Sequence, residues 1–186
     1  MLTKISEINN LNDPIKQFQL EFQISLPNGK SEDADLGFKT RQLLLRAQSF
    51  SVPEIKMDDT TVNWAGHERK FAGKQTRNGD WTVEFTEVWS GDYIEGFRRW
   101  MTWAHDYVNG TISLHDNYMG SATVNILNPD KIIPSAPGAA AKQFFLKRLY
   151  PTQVNMSGTI NPSSSDPVNI SVTWHYDYFL MTGEEE

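Results

Sequence analysis

The stretch ISVTWHYDY, residues 170–178, alternates apolar and polar side chains without a break. One face is apolar and the other polar: the first holds Ile170, Val172, Trp174, Tyr176 and Tyr178, the second Ser171, Thr173, His175 and Asp177. A period of two residues is typical of a β-strand with one buried and one solvated face. Half-buried strands favour an antiparallel sheet, because strands of a parallel sheet are covered on both faces and read as continuous apolar runs.

The same alternation recurs upstream, in FQLEFQISL (residues 18–26) and WTVEFT (residues 81–86). Weaker extended segments are predicted at residues 37–52, 111–114, 122–127, 143–150 and 153–160. The run Leu43-Leu44-Leu45 interrupts the first of these and is compatible with a helical turn. Many half-buried strands predict a mainly β fold of two packed antiparallel sheets, in a sandwich- or barrel-like arrangement.

One segment has the period of a helix, at about residues 92–108. Its apolar positions recur at spacings of three and four residues: Tyr93, Ile94, Phe97, Trp100, Met101, Ala104 and Tyr107 or Val108. Asp92 with Glu95 matches a capping box, and Asn109-Gly110 is a suitable stop. The sequence therefore predicts one amphipathic α-helix that flanks the sheets.

Composition limits the classes of function. The 186 residues are enough for one domain over residues 1–186, and the absence of cysteine excludes thiol chemistry and disulfides. The net charge of −6 disfavours general binding of nucleic acid, which needs clustered Lys and Arg. The N-terminal residues show no secretory signal, and no apolar run reaches the roughly 20 residues of a membrane helix, so no membrane association is expected.

Catalytic patterns are weak. The sequence has no nucleophile elbow, phosphate-binding loop or dinucleotide fingerprint, and its four histidines form no metal-binding spacing. The pairs His105-Asp106 and His115-Asp116 are most simply surface pairs. We expect no enzyme activity, no catalytic residues, no cofactor and no metal.

A polar arm at residues 54–79 precedes the strand at Trp81 and is interpreted as an irregular or hairpin-like excursion with turns at Gly66 and Gly73. Exposed aromatics on such an arm would indicate contact with another molecule, whereas an arm that folds back would bury Trp64 and Phe71. A near-neutral, slightly basic arm suits an acidic copy of the same chain. The candidate interface residues are Trp64, His67, Glu68, Arg69, Lys70, Phe71, Lys74 and Arg77.

The order of these features resembles the tail tube proteins of contractile-tailed bacteriophages, the T4-like tube family. The resemblance runs from about Asp13 to Phe179 and rests on short elements. They are DPIKQFQLE (residues 13–21), HERKFAG (67–73), DWTV (80–83), the helix with Phe97 and Trp100, LYPTQV (149–154) and the final Asp177-Tyr178. The single domain begins with an N-terminal segment, residues 1–17. The proline-rich loop 128–141 and the acidic tail 182–186 have no assigned role.

The resemblance implies a structural protein whose sheets join in hexameric rings, which stack into the inner tail tube. It implies a sheath protein around the tube, baseplate and tail-terminator proteins at its ends, and genomic DNA that passes through the lumen without specific binding. The location implied is the phage tail of the virion, assembled in the host cytoplasm. The tube of a type VI secretion system or of a phage-like injection particle is an alternative within the same architecture.

Two other classes remain open. A small ligand- or carbohydrate-binding β-domain could use Trp64 and Trp103 as stacking platforms, although no polar constellation surrounds them in the sequence. An enzyme is supported only by the two His-Asp pairs. Rings or tubes in solution would favour the first interpretation, and a monomer that binds a ligand would favour the second.

Overall fold

A computed structural model describes residues 20–88, 90–127, 140–157, 163 and 167–184. The strands are β1 Leu20–Ser25, β2 Ala47–Phe50, β3 Lys56–Trp64, β4 His67–Thr76, β5 Gly79–Thr86, β6 His105–Asp106, β7 Thr111–Ile112, β8 Gly120–Leu127, β9 Ala140–Ser157, β10 Asn169–Tyr176 and β11 Tyr178–Met181. The helices are α1 Thr40–Arg46 and α2 Asp92–Ala104, with a π-helical turn at Glu32–Leu36 and a 3-10 turn at His115–Asn117.

Two antiparallel layers share the long strand β9. The first part of β9 pairs with β8 and β11, and β8 pairs with β1. The second part pairs with β10, which continues through β5 to β2. Arg148 has a φ of 55° just before β9 exchanges partners between Leu149 and Tyr150. The predicted mainly β, two-layer fold is confirmed, and the described residues form no closed barrel.

Aromatic side chains fill the space between the layers. Phe22 of the first layer contacts Trp81 and Phe85 of the second, with ring centroids 5.4 Å and 6.1 Å apart. Trp174 lies 5.2 Å from Trp81 and 5.4 Å from Phe97 of α2. All five side chains are buried. The alternation predicted in β5 and β10 is therefore the alternation that builds the core.

The prediction that Tyr178 continues the apolar face of β10 is wrong. β10 ends at Tyr176, the chain bends at Asp177, and β11 then pairs with the first layer. Phe179 is the buried residue there, while Tyr178 is only partly buried. The alternation changes phase because the chain crosses from one layer to the other.

The predicted helix exists but ends at Ala104 rather than near residue 108. The side chain of Asp106 accepts a 3.0 Å hydrogen bond from the backbone N–H of Val108 and also binds Asn109. This local turn competes with further helix. Tyr107 and Val108 are consequently exposed rather than part of the apolar face.

The capping box is also wrong. The side chain of Asp92 makes no cap, and Glu95 binds Arg98 and Arg99 instead. Glu87 supplies the cap: its carboxylate accepts hydrogen bonds from the backbone N–H groups of Tyr93 (3.3 Å) and Ile94 (3.0 Å). The negative charge of this carboxylate also interacts favourably with the positive, N-terminal end of the helix dipole.

Two other expectations change. The helical turn at residues 43–45 is a second flanking helix, α1, which contributes the buried Leu43 to the core. The segments predicted as two strands at residues 143–150 and 153–160 form one strand as far as Ser157. The N-terminal segment 1–17 and most of the proline-rich loop lie outside the described residues. No helix in the described part of the chain is long and apolar enough to cross a membrane.

Candidate assembly surface

Within the predicted arm, β3 and β4 form a two-stranded hairpin, as in the hairpin-like alternative. β3 and β4 pair with each other from Lys56–Thr76 to Trp64–His67, in a sheet separate from the two layers. The tight turn holds Ala65 at a φ of 48° and Gly66 at 80°, a region that glycine adopts at little cost. Strands of this length extend about 30 Å.

The hairpin has two chemically different faces. Cross-strand partners lie on the same face, so the register sorts the side chains. The apolar arm face carries Thr60, Val62, Trp64, His67, Arg69 and Phe71. The polar arm face carries Asp59, Thr61, Asn63, Glu68, Lys70 and Ala72, and it includes a 2.8 Å ion pair between Lys70 and Asp59.

The apolar arm face is open to solvent. Trp64 is 82% exposed, Phe71 54% and Val62 45%. These side chains line one surface cavity, which His67, Arg69 and, near the turn, Ala65 and Glu68 complete. The interpretation in which the arm folds back and buries Trp64 and Phe71 is therefore wrong for the subunit. Clustered, exposed aromatics rimmed by charge are typical of an interaction surface.

Gly73 is not a turn, contrary to the prediction. It lies within β4 where the register shifts opposite Asp58, which marks a β-bulge. A Cβ at Gly73 would come within 2.9 Å of the Asp58 carbonyl oxygen. The position needs glycine because two backbones approach closely there.

The acidic tail, which had no assigned role, contacts the base of the arm. Glu184 accepts a 2.6 Å hydrogen bond from the Arg77 guanidinium and a 2.9 Å bond from the backbone N–H of Met181. The Arg77 guanidinium also lies 5.8 Å from the centre of the Phe179 ring. Arg77 is thus held within its own subunit.

The ion pair at the arm base makes a pH-dependent prediction. The hydrogen bond from Arg77 holds the pKa of Glu184 below its ordinary value. A carboxyl group with a lowered pKa stabilises the fold at neutral pH, and that contribution is lost as the pH falls through the folded-state pKa. We expect Arg77→Met to move the pKa of Glu184 upward, although the bond from Met181 retains part of the depression.

The measurement is a carbon-13 NMR titration of the carboxyl groups. Glu95 serves as the internal control, because Arg98 and Arg99 lower its pKa to about 2 and neither contacts Arg77. An unchanged Glu184 pKa in Arg77→Met would show that the pair does not form in solution.

The structure separates the eight candidate interface residues. Trp64, His67, Arg69 and Phe71 share the apolar arm face. Glu68 and Lys70 lie on the opposite face, Lys74 lies at the bulge, and Arg77 is paired with Glu184 at the base. Val62 was not among the candidates. The Ala65-Gly66 turn is the signal that could have identified Val62. A two-residue turn fixes the strand register, and the register places Val62 on the same face as Trp64.

Catalytic and metal chemistry finds no support in the described residues. They contain no cluster of three or more His, Asp or Glu side chains able to hold a metal ion. One pair that the sequence did not suggest is His175 with Asp80, whose Nδ1 and Oδ1 atoms lie 3.0 Å apart across β10 and β5. No nucleophilic group is hydrogen-bonded to either of them in the described part of the chain.

Comparison with solved structures identifies the architecture. A chain of an extracellular contractile injection system, the PVC sheath–tube complex in the extended state, has a TM-score of 0.55, 16% identity, and coverage of 97% of this chain and 99% of that one. A chain of the anti-feeding prophage cap, described as its tube terminating cap, has a TM-score of 0.59, 13% identity, and coverage of 97% and 99%. The chain has the tube-protein fold of contractile injection systems.

A third structure with this fold comes from the PVC sheath/tube terminator. Its TM-score is 0.57, with 15% identity and coverage of 93% of this chain and 99% of that one. No family model and no curated protein sequence matches the chain. At such low identity the similarity shows a shared fold alone.

Proposed function

We propose that this protein is the subunit of the inner tube of a contractile tail, in which hexameric rings stack into a hollow tube. The tube-protein fold over nearly the whole chain supports this role. The observation that carries the proposal is the projecting hairpin, with Trp64 and Phe71 exposed on one face. In a monomer these apolar side chains stay in contact with water and add no stability. In a tube, each subunit would bury this face against its neighbour.

Stacking through the arm gains strength from repetition. Each apolar arm face would dock on the next ring or on a neighbouring subunit, and every ring would present several copies. Once one arm of a ring is bound, the other arms are held close to their binding sites at a high effective concentration. Many weak contacts therefore hold two rings together strongly. His67 and Arg69 place positive or neutral groups beside the aromatics, which suits a chain whose net charge is −6.

Ring formation would use the ends of the layers. Within the described chain, β1, β2 and β11 each pair with only one other strand. Unpaired strand edges invite aggregation, and pairing with a sister subunit removes them. A head-to-tail contact between two different edges closes into a ring when the rotation between subunits permits it.

The proposed partners are taken from the assemblies of the similar chains. The similar chains come from assemblies described as a sheath–tube complex, a tube cap and a baseplate. We infer that this tube is likewise enclosed by a sheath and closed by terminator and baseplate proteins, and that it conducts DNA in a phage tail assembled in the host cytoplasm. The protein itself has no enzymatic role in this proposal. A secretion system or injection particle would use the same subunit design.

The proposal is tested by the size of the purified protein. Sedimentation and negative-stain microscopy at increasing concentration are expected to show rings and then tubes. The rival, a monomeric ligand-binding domain, would have to use Trp64 or Trp103. Trp103 packs against Trp100 at 5.9 Å, and the Lys30 ammonium lies 4.7 Å from its ring centre. A protein that stays monomeric throughout would refute the tube role.

A further inference from the structure

The outward faces of the two layers differ in chemistry, and the difference bears on which face meets the cargo. The outer face of the second layer, called here the hydroxyl–amide face, consists almost entirely of small neutral polar side chains. Its members are Gln48, Ser49, Thr82, Glu84, Thr86, Gln153, Asn155, Asn169, Ser171 and Thr173.

The polar groups of this face bind one another across the strands. Thr82 and Thr173 lie 3.3 Å apart through their hydroxyl oxygens. Thr86 donates to Asn169 at 3.3 Å, and Gln48 donates to Thr86 at 2.8 Å. These bonds occupy part of the hydrogen-bonding capacity of the face, so a passing molecule has fewer free groups to bind.

The charges of this face are few and negative. None of its ten members is a lysine or an arginine, and its one ionisable member, Glu84, accepts a 3.0 Å hydrogen bond from Ser49. Asp80 lies at its margin, paired with His175. Lys and Arg supply most of the affinity of proteins for phosphate, so this surface offers a nucleic acid only weak, uncharged contacts.

The outer face of the first layer is different. Along β1 and β8 it also carries hydroxyl and amide groups, but along β9 and β11 it carries Lys147 and the larger side chains Phe145, Tyr178 and Leu180. Glu21, Asn125 and Gln143 form a polar row beside them, with bonds of 2.9 Å and 3.1 Å. A face with apolar and basic groups suits contact with other proteins better than a sliding path.

We propose that the hydroxyl–amide face of the second layer is the inner wall of the tube, and that it passes a phosphate polymer without holding it. This inference rests on the proposed tube role. In a ring it repeats in every subunit, so the lumen becomes a neutral-to-acidic, water-bearing surface. The first layer then faces outward.

Cysteine labelling tests the placement, because the natural chain contains no cysteine. Ser171→Cys places one thiol on the hydroxyl–amide face, and Thr123→Cys places one on the outer face of the first layer. Assembled tubes are treated with a small water-soluble maleimide or with a maleimide attached to a large protein. We expect the cysteine at position 171 to react with the small reagent only.

Each labelling outcome decides whether the hydroxyl–amide face lines the lumen. Reaction with the large reagent along the tube would place position 171 outside, and no reaction with the small reagent would place it within the wall. Either result overturns the inference while the tube role stands. The small-reagent-only pattern at position 123 instead of 171 would assign the lumen to the first layer. Failure of all variants and of the natural protein to form tubes would refute the tube role itself.

A charge substitution tests the sliding property. Ser171→Lys adds a ring of ammonium groups to the proposed wall, and Ser171→Gln is the neutral control. Labelled DNA is expected to co-sediment with Ser171→Lys tubes in a salt-dependent manner, about tenfold more than with natural or Ser171→Gln tubes. Equal retention by all three, or retention by the natural tube, would contradict a wall that does not hold phosphate.

Discussion

Replacing Trp64 and Phe71 together by serine is expected to leave a folded subunit that forms no long tubes. Both side chains are mostly exposed in the subunit, so their removal should change the free energy of unfolding by no more than about 0.5 kcal/mol. Burying each in an interface would contribute about 1.5–3 kcal/mol. Losing both weakens every contact between neighbours, and repetition along the tube multiplies the effect.

The matched control lies on the other side of the same hairpin. Thr61→Ala with Asn63→Ala alters the polar arm face within the same span of the hairpin. We expect tubes from the control at normal yield in negative-stain images, and urea unfolding curves that coincide for all three proteins. Normal tubes from the serine variant would show that the apolar arm face is not the stacking contact.

Trp174→Ala is expected to cause the largest loss of stability, about 3–5 kcal/mol. Trp174 is fully buried at the centre of the core, where it contacts Trp81, Phe85 and Phe97. Its removal leaves a cavity between the two layers and beneath α2. Chemical denaturation measures the loss, and an unfolded variant at 25 °C is also within the expectation.

Phenylalanine substitutions make the test sharper. The Nε1 atom of Trp174 has no hydrogen-bond partner among the described residues, whereas Trp81 donates a 2.8 Å bond to the Ser51 carbonyl oxygen. Trp174→Phe loses ring volume but no bond, and Trp81→Phe loses both. We expect Trp81→Phe to be the less stable of the two by about 1 kcal/mol. The reverse order would contradict this account of the core.

The sequence predicted the layers well because a buried face imposes a period of two wherever a strand keeps one environment. Residues 81–86 and 170–176 show this. The prediction failed at Tyr178, where the chain changes layers and the alternation changes phase. It also split β9 in two, although Pro151 is accommodated where β9 begins to pair with β10.

The sequence predicted the position of α2 better than its first and last turns. The apolar spacing of α2 located the helix correctly, since packing against Phe85 and Trp174 fixes that face. Its cap was missed because Glu87 reaches the first turn from outside the capping-box spacing. Its end was missed because the side chain of Asp106 competes for the backbone.

The sequence identified the segment that carries the candidate interface, but not which of its residues lie on the same face of the hairpin. Composition marked the arm, because aromatics in a polar stretch lack local apolar neighbours. The division between the apolar and polar arm faces depends on the strand register, which depends on the two-residue turn at Ala65-Gly66. The tie between Arg77 and Glu184 spans more than half of the chain and has no local signal in the sequence.

Cryo-electron microscopy of the concentrated, purified protein tests the central claim most directly. The account predicts stacked hexameric rings around an open lumen, with Trp64 and Phe71 buried against a sister subunit. A monodisperse monomer at high concentration, or a tube in which both side chains stay solvated, would contradict it.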